Sequence, residues 1–129
     1  MQTKMHRAIY DTRFFIEFFY SKDAVVQKKL KNEKNRKDRY VSTIVIHEIY
    51  KLSLAHEGLE TAKLRAALIK KYFKVIPVDD QIAQISAELR HKYNLSMGES
   101  MIVATASILE AHYITDDPHF KQITEIQTS

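Results

Sequence analysis

Residues 95–120, LSMGESMIVATASILEAHYITDDPHF, predict a helix, a strand and an acidic turn in direct succession. The apolar and small residues that dominate this stretch predict a buried helix from Ser96 to about Glu110. Residues 112–115 then predict a short strand, and the dipeptide of Asp117 and Pro118 is typical of the turn after it. A buried helix that leads into a buried strand is a building unit of parallel sheets, so this stretch indicates an α/β fold.

The rest of the chain repeats this alternation of short strands and helices. Strands are expected at residues 8–10, 40–41, 74–78, 112–115 and 125–127. Helices are expected at about 14–19, 22–35, 43–56, 59–72, 80–93 and 96–110. Because Pro77 cannot donate to a strand ladder, its strand should be short or lie at an edge. We expect one domain over residues 1–129, a three-layer α/β/α fold with a short-stranded, mainly parallel central sheet.

The composition excludes several classes of protein and of site. Of the 129 residues 45% are apolar, and no apolar run approaches the roughly 18 residues of a membrane span. Residues 1–10 lack the apolar core of a signal peptide, so we expect a cytoplasmic protein with no membrane partner. Without cysteine there is no disulfide and no thiolate zinc site. The six histidines show no tight metal spacing, so any metal should be oxygen-bound, such as Mg²⁺ or Mn²⁺.

Basic charge is concentrated in one run of the sequence. Residues 28–39, KKLKNEKNRKDR, carry seven Lys or Arg and two Asp or Glu, whereas the whole chain has a formal charge of only +4. Such a run suits a polyanion, and the alternative is an ordinary solvated helix end and loop. The candidate contacts with the phosphates of a nucleic acid are Arg13, Lys28, Lys29, Lys31, Lys34, Arg36, Lys37 and Arg39.

Acidic residues follow two of the predicted strands. Ligands of parallel sheets bind beyond the carboxyl ends of the strands. Asp11 follows the strand at 8–10, and Asp117 follows the strand at 112–115. Each position has a structural alternative, because an aspartate such as Asp11 often caps the next helix. Asp116 is a rival to Asp117 at the second position.

Two glutamates are further candidates. Glu48 lies on the apolar arc of its predicted helix, where an unpaired carboxylate is costly, although a buried ion pair would also explain it. The arc consists of Ile44, Val45, Ile49, Leu52 and Ala55. Glu99 stands three residues after Ser96, which matches a capping box, yet it also enters the first turn of a buried helix. The sequence leaves both interpretations of each glutamate open.

Together these motifs resemble the PIN-domain family, especially VapC-like toxin nucleases. The resemblance is carried by DTRFFIE at residues 11–17, the helix with Ser42 to Glu48, LSMGESMIVATA at 95–106 and YITDDPHF at 113–120. It implies that Asp11, Glu48, Glu99 and Asp117 hold one or two Mg²⁺ or Mn²⁺ ions, with Thr115 as a hydroxyl helper. Asp117 is preferred over Asp116 because the family pattern is Thr-x-Asp-x-x-Phe. The third acid is usually aspartate, so Glu99 departs from the pattern by one methylene.

The resemblance also implies a function. It predicts a metal-dependent endoribonuclease, the toxin of a toxin–antitoxin pair, which is held inactive by a cognate antitoxin and forms a homodimer. The alternative is a PIN-like module that is weakened by Glu99 and only binds RNA or a protein. A phospho-receiver domain shares the doubly wound layout, but it needs an acidic pair after the first strand, where Asp11 stands alone.

Overall fold

A computed structural model describes residues 7–128, and in that range short strands alternate with helices as the sequence predicts. The strands are β1 (Arg7–Tyr10), β2 (Asp38–Ser42), β3 (Lys74–Ile76), β4 (His112–Ile114) and β5 (Gln127–Thr128). The α-helices are α1 (Thr12–Tyr20), α2 (Ala24–Lys34), α3 (Thr43–His56), α4 (Leu59–Tyr72), α5 (Asp80–Lys92) and α6 (Met97–Leu109). A 3₁₀ helix, Pro118–Gln122, follows β4.

The strands form one sheet in the order β3-β2-β1-β4-β5, and every pairing is parallel. The strand next to Pro77 is short and lies at the edge, as predicted. Successive residues of a strand point to opposite faces, and Ile9 and Tyr10 of the central strand β1 are both fully buried. Both faces of the sheet are therefore covered, which confirms the three-layer α/β fold.

Asp and Ser side chains mark the start of most of the described α-helices. Asp11, Ser42, Asp79 and Ser96 each precede a helix and accept a hydrogen bond from a backbone N–H of its first turn. These contacts satisfy donors that the helix itself leaves unpaired. The strand–helix boundaries are thus determined by short polar side chains that can be read from the sequence.

Aromatic packing fills the space between β1, α1 and the end of α4. Phe14 and Phe15 are buried, and the ring of Phe15 lies 4.9 Å from that of Phe73. Phe18 and Phe19 are half-buried at the margin of this core. All four phenylalanines of α1 therefore pack in or against the core, with the outer pair less enclosed than the inner pair.

Two predictions about element detail are wrong. Ala55 is exposed rather than on the buried arc of α3, because the buried side of the helix continues from Val45 and Ile49 to Ser53, and Ala55 lies on the opposite side from Ser53. The last strand is formed by Gln127–Thr128 rather than residues 125–127, because the buried Ile126 packs into the core just before it.

The sheet brings its two acidic strand ends together. Tyr10, the last residue of β1, is in register with Ile114, the last residue of β4. Asp11 and Thr115 follow these residues and therefore leave the sheet side by side. Among the described helices, none is both long enough and apolar enough to cross a bilayer.

Candidate functional site

All four candidate carboxylates line one cavity of about 200 Å³, which we call the acidic pocket. Asp11 comes from the end of β1, Glu48 from α3, Glu99 from α6 and Asp117 from the turn after β4. Thr115 lies in the same wall. The remaining described lining residues are Thr12, Arg13, Ser96, Ile102, Tyr113 and Phe120. The fold thus gathers acids that are far apart in the sequence.

Asp11 is both a helix cap and a wall of the pocket. Its Oδ1 accepts a hydrogen bond from the backbone N–H of Phe14 at 2.9 Å, and its Oδ2 accepts one from the Tyr113 hydroxyl at 3.4 Å. Burial raises the pKa of Asp11, and these two hydrogen bonds together with the charge of Arg13 oppose the rise. The capping role that the sequence offered as an alternative therefore coexists with a position in the pocket.

Glu48 is held from two sides. The Thr12 hydroxyl donates to its Oε1 at 2.5 Å. On the other side, a Cβ atom added to Gly98 would lie 3.3 Å from each carboxylate oxygen of Glu48. The absence of a side chain at Gly98 therefore lets α6 approach the glutamate closely. Sequence reasoning missed both Thr12 and Gly98, although each is adjacent to a predicted acid.

Glu99 forms the predicted capping box. Its Oε1 accepts from the backbone N–H of Ser96 at 2.9 Å, while its own N–H donates to Ser96 Oγ at 3.2 Å. The same side chain lines the acidic pocket. The cap and the pocket position are therefore compatible, since a carboxylate has acceptor capacity beyond one hydrogen bond.

The two neighbouring aspartates point to different places. Asp117 accepts from the backbone N–H of His119 at 2.9 Å, donates its own N–H to Thr115 Oγ1 at 3.1 Å, and lines the acidic pocket. Asp116 instead forms an ion pair with Lys29 at 3.6 Å on the exposed surface. The structure therefore gives Asp117 the pocket position and leaves its rival outside.

Tyr113 is a buried hydroxyl in the middle of the carboxylates. Burial raises its pKa, and the nearby charges of Asp11, Glu99 and Asp117 raise it further. The phenol therefore stays protonated and remains a donor to Asp11. Its ring stacks on Phe120 with centroids 4.9 Å apart. Nothing in the strand pattern distinguishes Tyr113 from an ordinary core residue, so the sequence did not single it out.

A larger cleft of about 520 Å³ adjoins the acidic pocket, and we call it the mixed-charge cleft. Asp11, Arg13 and Thr115 line both cavities. The other charged residues of the cleft are Glu17, Lys29, Glu33, Arg36, Asp116 and Lys121. Cations and anions alternate here, as in the ion pair of Arg36 with Glu33 at 2.7 Å. The cleft offers cations beside the carboxylates.

The basic run at 28–39 is divided among several places. Lys29, Arg36 and the separate Arg13 line the mixed-charge cleft. The ammonium of Lys34 lies over the ring of Phe18 at 4.6 Å, on another surface. Lys37 and Arg39 line a third cavity, away from the acidic pocket. Lys28 and Lys31 are exposed on α2.

The donor set of the acidic pocket fits a hard divalent cation. Its side-chain oxygens come from carboxylates and hydroxyls, the ligands that Mg²⁺ and Mn²⁺ prefer. Within residues 7–128, however, no three His, Asp or Glu side chains stand at ligand spacing. The carboxylates are instead held by the hydrogen bonds described above. Small rotations of these side chains would be part of binding an ion.

The sequence profile of the PIN domain matches residues 8–126, almost the whole of the described range. This chain belongs to the PIN-domain family. The family resemblance predicted from the four sequence blocks is thereby confirmed. No curated protein matches this PIN domain by sequence at a significant level.

Solved structures of toxin–antitoxin proteins share the fold. A chain of VapBC2 from Rickettsia felis superimposes with a TM-score of 0.78 at 14% identity, over 95% of this chain and 96% of the other. A chain of DNA-bound VapBC from Salmonella typhimurium gives 0.78 at 17% identity, over 97% and 98%. VapC20 from Mycobacterium tuberculosis, a toxin that cleaves the sarcin–ricin loop, gives 0.73 at 18% identity, over 91% and 95%. At these identities the likeness shows the fold.

Proposed function

We propose that this PIN domain is a metal-dependent endoribonuclease and the toxin of a toxin–antitoxin pair. The observation that carries the proposal is the convergence of four carboxylates from separate elements on one pocket. Gathering carboxylates in a partly buried site is costly, because like charges repel one another unless a cation compensates them. An arrangement that bears this cost is best explained by a bound ion.

In this proposal Asp11, Glu48, Glu99 and Asp117 hold one or two Mg²⁺ or Mn²⁺ ions. Such an ion, when bound, lowers the pKa of a water molecule and neutralises negative charge that develops on a phosphodiester. Thr12, Ser96 and Thr115 contribute by holding the acids through the hydrogen bonds that each makes. Outer partners of this kind orient ligands and keep a site ready for the ion.

Cations of the mixed-charge cleft would bind the RNA. Arg13 lies at the junction of the two cavities, so its guanidinium can contact a phosphate next to the acidic pocket. Lys29, Arg36 and Lys121 lie further along the cleft, where they would contact neighbouring phosphates. Contacts to phosphates position a strand without reading its sequence. In this proposal the cleft holds RNA without selecting its sequence.

The partners proposed are RNA, a cognate antitoxin and a second copy of this chain, all in the cytoplasm. Structures that share the fold include a toxin–antitoxin complex from Klebsiella pneumoniae, at 23% identity and a TM-score of 0.73. An antitoxin segment that carries a basic side chain into the acidic pocket would compensate the same carboxylates that a metal does. Binding of antitoxin and cleavage of RNA should therefore exclude each other.

The decisive test is RNA cleavage by Asp11→Asn, measured with Mn²⁺, with Mg²⁺ and with chelator. Asparagine still caps a helix, so α1 should form normally. We expect the wild type to cleave only with metal, and the variant to lose more than about 100-fold in rate, since outer-shell partners alone are worth about 10- to 100-fold. Asp79→Asn changes another helix-capping aspartate, one that lines neither the acidic pocket nor the mixed-charge cleft, so it is the matched control and should keep its activity. Cleavage in chelator, or unchanged cleavage by Asp11→Asn, would refute the proposal.

A second candidate function is an RNA-binding PIN module without activity. The observation in its favour is Glu99, which is one methylene longer than the usual acid and is engaged in the cap with Ser96. If the wild type binds RNA but cleaves none with either metal, this candidate replaces the first.

A further inference from the structure

A strongly basic groove lies at the amino ends of β2 and β3, at the opposite end of the sheet from the acidic pocket. It has a volume of about 550 Å³. Its cationic lining consists of Lys37, Arg39, Lys70, Lys71 and Lys74, and its described lining contains no acid. The strand β2, which leads from the groove towards the acidic pocket, has five residues, or a length of roughly 13–16 Å. The groove is therefore distinct from the site proposed for cleavage.

Two segments that are distant in sequence build this groove. Lys37 and Arg39 come from the end of the basic run at 28–39, whereas Lys70, Lys71 and Lys74 come from the end of α4 and the start of β3. Parallel pairing of β2 with β3 brings the two segments together, since Tyr40 is in register with Lys74. The concentration of charge is thus a product of the sheet topology.

Only some of the cations in the groove are held by partners within the protein. Arg39 donates from Nε to the carbonyl of Tyr72 at the end of α4 at 3.0 Å, and Lys74 pairs with Asp38 at 2.9 Å. Within residues 7–128, by contrast, Lys37, Lys70 and Lys71 form no ion pair with an acidic side chain. Cations near a helix C-terminus gain a little from the helix dipole, but crowding like charges in a groove also creates a field that attracts anions.

The groove and the mixed-charge cleft are lined by neighbouring residues of the same basic run. Arg36 lines the cleft, and the next residue, Lys37, lines the groove. An RNA strand that leaves the cleft past Arg36 would therefore be close to the first cation of the groove, Lys37. Tyr72 at the groove is 41% exposed, which offers a ring on which a base can stack. Positive charge with an exposed aromatic ring is the combination that binds single-stranded nucleic acid.

We propose that this basic groove is a second RNA-binding surface, which holds the phosphate backbone of the substrate outside the cleavage site. The proposal rests on the proposed ribonuclease function for the identity of its ligand. It predicts that the groove adds affinity for RNA long enough to reach it and adds nothing for RNA that fills only the cleft.

The test uses the triple variant Lys37→Gln, Lys70→Gln, Lys71→Gln in the full chain that also carries Asp11→Asn, with chelator present. Binding of a fluorescent single-stranded RNA of about 20 nucleotides and one of about 4 nucleotides is measured across a range of salt. Removing three phosphate contacts should weaken binding of the long RNA about tenfold or more and reduce its salt slope by about 2. Binding of the short RNA should be unchanged.

Two controls keep the result interpretable. Lys22→Gln, Lys51→Gln, Lys63→Gln removes the same charge from exposed positions elsewhere and should weaken the long RNA much less. Lys37→Arg, Lys70→Arg, Lys71→Arg keeps the charge and should keep the affinity, and circular dichroism checks the fold of each protein. Equal weakening in the Lys22 control, or unchanged binding in the groove variant, overturns the proposal. Tighter binding of duplex DNA than of single-stranded RNA of the same length also overturns the proposal. Binding is measured with Asp11→Asn and chelator, so RNA is not cleaved during the measurement. The result for the groove is therefore independent of whether the wild type cleaves RNA.

Discussion

The acidic pocket and the basic groove lie at opposite ends of the same sheet and are built in opposite ways. In the pocket, short carboxylates from different elements are each held by a neighbouring hydroxyl or backbone N–H. In the groove, Lys37, Lys70 and Lys71 extend into solvent. Chemistry on one phosphodiester needs fixed oxygens, whereas attraction of a flexible polyanion needs only charge. Changes in the pocket should therefore alter the cleavage rate, and changes in the groove should alter affinity.

Among changes in the pocket, Glu99→Gln is expected to have the largest effect on the cleavage rate. Glutamine can close the same capping box, so the melting temperature and the RNA affinity in chelator should stay unchanged. The carboxylate is lost, and cleavage with Mn²⁺ should fall more than about 100-fold, beyond what outer partners contribute.

Ser96→Ala is the complementary control for Glu99. It removes the cap hydroxyl but keeps the carboxylate. It should therefore lower the free energy of unfolding by about 1 kcal/mol and reduce the cleavage rate much less than Glu99→Gln does. Full activity in Glu99→Gln would show that the glutamate only caps the helix. Metal binding would then depend on the other three acids of the pocket.

A smaller effect is expected from Gly98→Ala. The new Cβ would press on both oxygens of Glu48 and displace that carboxylate by a few tenths of an ångström. Cleavage should fall about 10- to 100-fold, as for other changes to the support of a ligand. Alanine favours a helix over glycine by about 1 kcal/mol, so the melting temperature should hold or rise.

The coupling of Gly98→Ala with Thr12→Val tests the reason for that loss. Both residues hold Glu48, so the double variant should lose less than the product of the two single losses. A double variant that loses the full product of the two single losses would mean that the two residues do not act through Glu48 together.

Tyr113→Phe should have a still smaller effect, about tenfold or less in cleavage rate. The variant keeps the ring stack on Phe120 and removes only the donor to Asp11. RNA affinity in chelator should not change. A loss of RNA affinity with an unchanged cleavage rate would mean that Tyr113 contributes to RNA binding. The pocket would then not differ from the groove in the way proposed here.

The smallest effect is thermal. Because burial raises the pKa of Asp11, the ionised side chain is less stable in the folded chain than in the unfolded chain. This penalty is absent below the unfolded pKa of about 3.9 and develops as the pH rises through the folded value. In chelator, Asp11→Asn should therefore melt a few degrees higher than the wild type near pH 7, and the difference should disappear below about pH 4. A variant that melts lower at pH 7 would contradict this.

Much of the fold was predictable because its signals are local. Helix caps at Ser42, Asp79 and Ser96, the apolar run of α6 and the edge position of the strand before Pro77 all follow from neighbouring residues. The four acids were identifiable for a related reason, since acids at strand ends and inside apolar helices stand out against their surroundings. The exposed Ala55 was misjudged because the buried side of α3 ends on Ser53, a polar residue that a hydrophobic pattern does not count.

The sequence by itself determined the order of strands and helices along the chain, the family, and the four acids that the fold brings to one pocket. Only the tertiary structure decided that Gly98 leaves room for Glu48, that Tyr113 donates to Asp11, and that residues 28–39 divide between a cleft and a groove. The physical reason is one of range. Caps and periodicity act within a few residues, whereas these contacts join segments that meet only when parallel strands pair and helices pack across them.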